Sequence, residues 1–209
     1  MIQRIVLGAG AFALSAVFMV PTTATAAVTG DVTCTLKGSA SIAPGLPLNS
    51  PGAATKKYKT TVTFNGVLSD CSGSQSGTKK GLQIEGGTVA AKAKTVTAIG
   101  SPLPSCAGLT AQTDVTILKA TVKFTNAGKT IATSKVNLTL GDAAISPTLT
   151  VSFPASGQVS GGNAFKGQTL TATAILDKGA ADLATLCTGG ASTTFNFTGV
   201  TGQSTLETP

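Results

Sequence analysis

The sequence predicts an all-β protein: an antiparallel β-sandwich or a closed barrel of about eight to ten strands, with two disulfides. Apolar residues alternate with polar ones at a period of two along much of the chain. The chain also has 25 glycines that punctuate these runs, and four cysteines. We prefer the sandwich, because only small and aliphatic side chains are plentiful and such a core suits two closely packed sheets.

Residues 1–26 have the features of a secretory signal peptide. Arg4 gives a positive start, residues 5–20 are apolar or small, and Ala24-Thr25-Ala26 supplies the small residues before a cleavage site. The apolar run is shorter than the roughly 20 residues that a membrane-spanning helix needs. We therefore expect cleavage after Ala26 and a single secreted domain over residues 27–209.

The clearest strand signal lies at residues 58–71. Tyr58, Val62, Phe64 and Leu68 fall on one side of this segment, and polar residues fall on the other. Gly66 marks a position where the strand would bend or bulge. A similar alternation at 32–42 predicts an earlier strand, and three prolines make 44–54 a loop.

Further strands are predicted wherever the alternation returns. They lie at 82–84, 89–99, 118–124, 131–140, 149–153, 170–176 and 195–197. A bulge near Ile117 would reconcile two phases of alternation, and Asn126-Ala127-Gly128 predicts a tight hairpin. Leu183 and Leu186 are three residues apart, so we expect at most one or two helical turns near 180–187.

The four cysteines predict two structural disulfides. All four, Cys34, Cys71, Cys106 and Cys187, lie in the exported part of the chain. Sequence alone allows three pairings, of which we prefer Cys71 with Cys106 and Cys34 with Cys187. The chain has no histidine and no C-x-x-C pair, so we expect no metal site.

The positive charge of the mature chain comes from lysine alone, because Arg4 is the only arginine. One local cluster, Lys56, Lys57 and Lys59, is a candidate surface contact for anionic cell-envelope polymers, lipid headgroups or another protein. We prefer to interpret the scattered lysines as a solubilising surface that protects sheet edges. Without arginine or interleaved aromatic residues, nucleic-acid binding is not expected.

Catalytic residues are not evident in the sequence. The absence of histidine removes the commonest general base. Carboxylates remain, and several of them lie at predicted turns, where aspartate ordinarily bonds the local backbone. The end of the chain, GQSTLETP, has no apolar tail, and the aromatic girdles of bilayer-spanning strands are missing. We predict no enzyme activity, no cofactor and no transmembrane span in the mature chain.

The cysteine-bearing segments resemble those of small exported actinobacterial proteins of unknown function. The resemblance consists of Cys34 in the first strand, Pro44-Gly45-Leu46, the segment from Phe64 to Cys71, then Cys106 and Cys187. It implies a secreted β domain and supplies no activity or site. This chain departs from the pattern by having no tryptophan.

Three functional hypotheses follow. The first is a secreted, non-enzymatic extracellular or envelope-associated protein that acts as a structural or binding module. The second is a protease inhibitor that presents the 102–106 loop, where Pro102 and Pro104 precede Cys106 and constrain the segment. The third is a carbohydrate-active enzyme with a pair of carboxylates.

Overall fold

The computed structural model describes residues 27–78, 81–109, 117–141, 143–145, 151–177, 183–198 and 205–208. The predicted signal peptide and its cleavage point lie outside these residues.

The all-β prediction is confirmed, since 66% of the described structure is in strands. The strands are β1 (Thr29–Gly30), β2 (Val32–Ala43), β3 (Tyr58–Ser72), β4 (Gln75–Ser76), β5 (Gly86–Thr97), β6 (Ile117–Asn126), β7 (Lys129–Leu140), β8 (Ala144–Ile145), β9 (Val151–Gly162), β10 (Thr169–Ile175), β11 (Thr193–Phe197) and β12 (Thr205–Thr208). Two four-residue helices accompany them, α1 (Cys106–Leu109) and α2 (Leu183–Leu186). The second lies where the sequence predicted a helical turn.

The sheet closes into an eight-stranded antiparallel barrel with one extra strand, β8. The order around the barrel is β10-β12-β2-β3-β5-β6-β7-β9, and β9 pairs with β10 to complete the circle. Strands β11 and β12 both pair with β2, one after the other, and share one position in the wall. The closed barrel, and not the preferred sandwich, is therefore the architecture.

The alanines explain why the preference for a sandwich was wrong. Ala91 and Ala120 are buried and lie directly opposite each other on β5 and β6, facing the interior. Small inward side chains are equally compatible with two close sheets and with a barrel whose centre is not filled. Closure depends on the pairing of β9 with β10, which no local pattern specifies.

The ends of the barrel are named from β2, whose first residue lies at the lower end and whose last lies at the upper end. The lower end is closed by the N-terminal segment, because Val28 N–H donates to Asn163 O at 2.8 Å and Phe165 N–H donates to Val28 O at 2.7 Å. The rings of Phe124 and Phe165 meet edge to face behind this segment, with centroids 5.3 Å apart.

The β2–β3 ladder contains both an irregularity and a close approach. Its register shifts between Thr33 and Thr35, opposite Asp70, which has a φ of 49°. Gly66 carries no bulge and instead lies directly opposite Gly38, where an added Cβ would collide with the backbone oxygen of Asn65. The paired glycines let the two backbones approach closely, as a bend in a barrel wall requires.

Other predicted boundaries differ in detail. Residues 82–84 were expected to form a strand but lie outside any strand, and β5 begins at Gly86. The bulge expected near Ile117 cannot be assessed on its N-terminal side, because residues 110–116 lie outside the described residues, and from Ile117 onward the register is regular until a shift between Phe124 and Thr125. The predicted hairpin is confirmed, because Ala127 and Gly128 both have positive φ, as a type I′ turn requires.

The disulfides join Cys34 to Cys71 and Cys106 to Cys187, so the preferred pairing was wrong. Cys34 and Cys71 lie on neighbouring strands at the lower end, with Cα atoms 4.1 Å apart. Strand β3 runs antiparallel to β5. Cys71 and the loop after β5 therefore lie at opposite ends of the barrel, and Cys71 cannot reach Cys106.

The interior divides into two apolar clusters. The lower cluster includes Val32, Phe124, Phe165 and Leu170, and the upper includes Ile42, Leu46, Cys106, Cys187 and Phe195. Val62 and Phe64 are partly buried, pack against both clusters and connect them.

Candidate functional site

An apolar cavity of about 120 Å³ lies inside the barrel. Its walls come from both interior clusters, for example Leu36 and Leu138 of the lower cluster and Ile42 and Phe195 of the upper. All eighteen described lining residues are Gly, Ala, Val, Leu, Ile or Phe. The cavity can therefore offer van der Waals contact and no hydrogen bond from a side chain.

Four of the six phenylalanines that follow residue 26 line this cavity: Phe64, Phe153, Phe195 and Phe197. Their rings contact one another, with centroids 5.7 Å apart for Phe64 and Phe197 and 6.0 Å apart for Phe153 and Phe197. The cavity therefore contains most of the phenylalanines that follow residue 26. Phe64 and Phe153 are only half-buried.

Five alanines leave the space that these rings surround. They are Ala40, Ala91, Ala155, Ala172 and Ala174. An eight-stranded barrel has an interior that larger side chains just fill, or that holds one small ligand when they do not. Because these five lining positions are alanines, the interior of this barrel has room for a small ligand.

Loops tied together by backbone hydrogen bonds cover the upper cluster. Gly45 N–H donates to Gly190 O at 2.9 Å, and Cys106 N–H donates to Pro47 O at 2.9 Å. The Thr193 hydroxyl also accepts a hydrogen bond of 2.6 Å from Leu46 N–H. Away from these loops, the cavity extends to Gly141, an exposed lining residue beyond the upper end of β7.

Comparison with known proteins gives no identification. No protein-family model, curated protein or solved structure matches the chain. A functional proposal therefore depends on the geometry and chemistry of this chain alone.

The predicted lysine cluster is divided between a loop and a strand. Lys56 and Lys57 are exposed in the loop before β3, and Lys59 is exposed on the outer face of that strand. Lys59 lies directly opposite Val96 of β5, which is also exposed. The cluster therefore adjoins the outer wall of the barrel and takes no part in the cavity.

The 102–106 loop is held along its length by neighbouring backbone. Pro102 pairs with Ala53, and Leu103 N–H donates to Gly52 O at 2.9 Å. Ser105 and Cys106 are buried. A loop that inserts into a protease presents free, exposed backbone, and this segment has little of it.

Two of the described carboxylates accept hydrogen bonds from backbone N–H groups of neighbouring turns or strands. Asp31 accepts a hydrogen bond from Ser74 N–H at 3.2 Å, and Glu85 accepts one from Ala127 N–H at 2.9 Å. Among the described residues, no group of three or more His, Cys, Asp or Glu side chains could hold a metal ion. Asp114, Asp142 and Asp182 lie outside the described residues.

A membrane-spanning helix would need a long apolar segment, and no helix in the described part of the chain meets that requirement.

The cavity was not found from sequence, although the sequence contains a partial signal. Ala91, Ala155 and Ala172 occupy inward positions where Val or Leu would be ordinary. That signal becomes interpretable only after the barrel is known to be closed, because only closure places these residues around one centre.

Proposed function

We propose that the protein is a secreted, non-enzymatic binding protein that holds a small apolar molecule inside its barrel. The single observation that carries the proposal is the cavity of about 120 Å³, whose described lining is wholly apolar. This specifies the binding module of the first sequence hypothesis and gives its ligand a chemistry.

The energetic cost of the empty space supports a role in binding. Residual cavity volume in a core costs about 24 cal/mol per Å³, so 120 Å³ corresponds to about 3 kcal/mol. Net stabilities of single domains are only about 5–15 kcal/mol. A single larger side chain at Ala91 or Ala172 would remove much of this cost, and a bound apolar molecule recovers it without a substitution.

The size and chemistry of the lining define the ligand class. A dry cavity of about 150 Å³ lined by Leu, Ile and Phe binds benzene or xenon in another protein. We therefore expect an uncharged molecule, or the end of a longer apolar chain, with about six to eight heavy atoms inside the barrel. For a benzene-sized probe we expect a dissociation constant on the order of 0.1–1 mM.

The point of ligand entry and the compartment of the protein can also be proposed. We place ligand entry at Gly141, which is the exposed residue of the described lining and lies beside half-buried Leu140. Two disulfides are typical of proteins that work in an oxidising compartment, which supports secretion. Association with the cell envelope is compatible with both features.

Two experiments test the proposal directly. The secreted protein is extracted with organic solvent, and the extract is examined by mass spectrometry for apolar compounds. In parallel, the unliganded protein is titrated with toluene while its melting temperature is followed, since a ligand that binds only the folded state stabilises it.

Ala91→Leu is the informative variant, and Ala90→Leu is its matched control. Ala91 lines the cavity, whereas Ala90 is exposed on the opposite face of the same strand. We expect toluene to raise the melting temperature of the wild type and of Ala90→Leu, and to leave Ala91→Leu unchanged. Equal responses from all three proteins would show that toluene acts elsewhere, and no response from the wild type would refute the proposal.

A further inference from the structure

The outer face of β5, β6 and β7 is strongly basic. These three neighbouring strands contain six lysines and no acidic residue. Among the described carboxylates, Asp31, Asp70 and Glu85 are near the lower end, and Glu207 is on β12, across the barrel. The fifth described carboxylate, Asp177, follows β10, so within the described residues no carboxylate lies on these three strands to balance their positive charge.

The strand register brings several of these lysines together. Lys92 of β5 lies directly opposite Lys119 of β6, and both are exposed. Lys94 is the next outward residue of β5 towards the upper end, and Lys59 lies opposite Val96 on β3. Like charges directly opposite each other on a sheet are destabilising, so this arrangement has a cost that the fold does not require.

Exposed apolar residues adjoin the lysines at the upper end. Val96 is 57% exposed, Ile117 is 53% exposed, and Ile99 in the turn after β5 is 65% exposed. Val96 follows Lys94 by two residues on the outer face, and Ile117 precedes Lys119 by two. We call Lys59, Lys92, Lys94 and Lys119, together with Val96, Ile99 and Ile117, the basic-apolar face.

We propose that the basic-apolar face docks the protein on a lipid bilayer that carries anionic headgroups. Lysines near such a surface are attracted by its negative potential, and neighbouring apolar side chains enter the boundary between headgroups and acyl chains. A soluble anionic polymer would match the lysines equally well and would give Val96, Ile99 and Ile117 no role. The apolar residues therefore favour the bilayer.

Docking by this face is independent of the ligand in the cavity. All of its side chains point away from the barrel interior or lie in the turn after β5. Ile117 begins β6 opposite Thr139, two residues before Gly141 on β7. A protein docked in this way would hold the exposed lining residue of the cavity near the membrane, but vesicle binding itself needs no ligand.

Vesicle sedimentation with the full mature protein tests the proposal. The vesicles contain phosphatidylcholine alone or equal parts of phosphatidylcholine and phosphatidylglycerol. We expect binding only to the second kind, and weaker binding as salt concentration rises. The double variant Lys92→Gln with Lys119→Gln should reduce the partition coefficient about 25-fold, at about five-fold for each lysine.

Matched variants separate this face from general charge. Lys129→Gln with Lys166→Gln makes the same change in charge at the lower end of the barrel, and we expect it to bind nearly as well as the wild type. Val96→Ser with Ile117→Ser should also weaken vesicle binding, whereas Val67→Ser, at an exposed position elsewhere, should not.

Circular dichroism of each variant confirms that it is folded. Equal losses from both lysine pairs would overturn the assignment to this face. Binding to soluble polyphosphate that exceeds vesicle binding and is insensitive to the Val96 and Ile117 substitutions would assign the face to a polymer and overturn the bilayer proposal. No binding of the wild type to anionic vesicles would also overturn it, while leaving the cavity proposal intact.

Discussion

Cys106, at the start of α1, and Cys187, just after α2, are joined at the upper end of the barrel, with their Cα atoms 6.2 Å apart and a separation of 81 positions along the chain. Both cysteines are buried in the upper apolar cluster. The loop that contains Cys106 is hydrogen-bonded to Pro47 and Leu48, and the loop that contains Cys187 is bonded to Leu46 through Gly189. The disulfide thus fastens the cover of the barrel end nearest to the phenylalanine cluster.

Removal of this disulfide is expected to destabilise the protein more than removal of the other one. In the chain-entropy model, a closed loop of 81 residues contributes about 4.5 kcal/mol, and one of 37 residues about 4 kcal/mol. Cys106→Ser with Cys187→Ser should therefore lower the midpoint of urea unfolding further than Cys34→Ser with Cys71→Ser. A larger loss of stability in Cys34→Ser with Cys71→Ser would contradict the expectation that the longer closed loop contributes more.

A side chain at Gly66 is expected to destabilise the fold. A Cβ there would lie 2.9 Å from Leu36 Cδ1 and 2.9 Å from Phe64 Cε1, so both cavity-lining side chains would have to move. We expect Gly66→Ala to lower the free energy of unfolding by about 1–3 kcal/mol. Gly190→Ala is the control, since an added Cβ meets nothing within 4 Å. Equal effects in chemical denaturation would contradict the close packing at Gly66.

Lys119→Glu should stabilise the fold while it weakens vesicle binding. The substitution places a carboxylate directly opposite Lys92 and replaces a repulsive pair by an attractive one. Exposed cross-strand charge pairs contribute about 0.2–1 kcal/mol, so the gain in unfolding free energy should fall within that range. Parallel measurements of denaturation and vesicle sedimentation check both parts. A loss of stability would show that the two lysines do not repel each other.

Thr60 offers a test of the barrel interior above the cavity. Its side chain is 5% exposed, and its hydroxyl has no hydrogen-bond partner among the residues that the structure describes. Val62, the next residue of β3 with the same orientation, lines the cavity. Because an unpaired buried hydroxyl is costly, Thr60→Val should raise the free energy of unfolding by about 1 kcal/mol. Thr60→Ser, which keeps the hydroxyl, should give no such gain, and a loss of stability in Thr60→Val would reveal a partner for the hydroxyl.

Local patterns were sufficient to predict most of the strands. The alternation of Tyr58, Val62, Phe64 and Leu68 corresponds to one face of β3, which the structure extends to Ser72. Ala127 and Gly128 form the predicted turn because hairpin geometry is decided by the residues of the turn itself. Such features depend on neighbours in sequence, and sequence records them directly.

Features that depend on distant pairing were not predicted. The choice between sandwich and barrel depends on whether β9 meets β10, and the disulfide pairing depends on which end of the barrel each cysteine reaches. The cavity has the same origin, because Ala91 and Ala172 line one shared interior only after the barrel closes. Similarly, Lys92 and Lys119 are 27 positions apart in sequence and become opposite neighbours only through the register of β5 and β6.

The most direct test of an accessible apolar cavity is the crystal structure of the protein under xenon pressure. We predict a xenon atom inside the barrel, surrounded by Leu36, Phe64, Ala91 and Leu138. Xenon should be absent from this position in Ala91→Leu. Strong density for ordered water in the cavity of the wild type, or an interior filled by side chains with no xenon bound, would contradict the account.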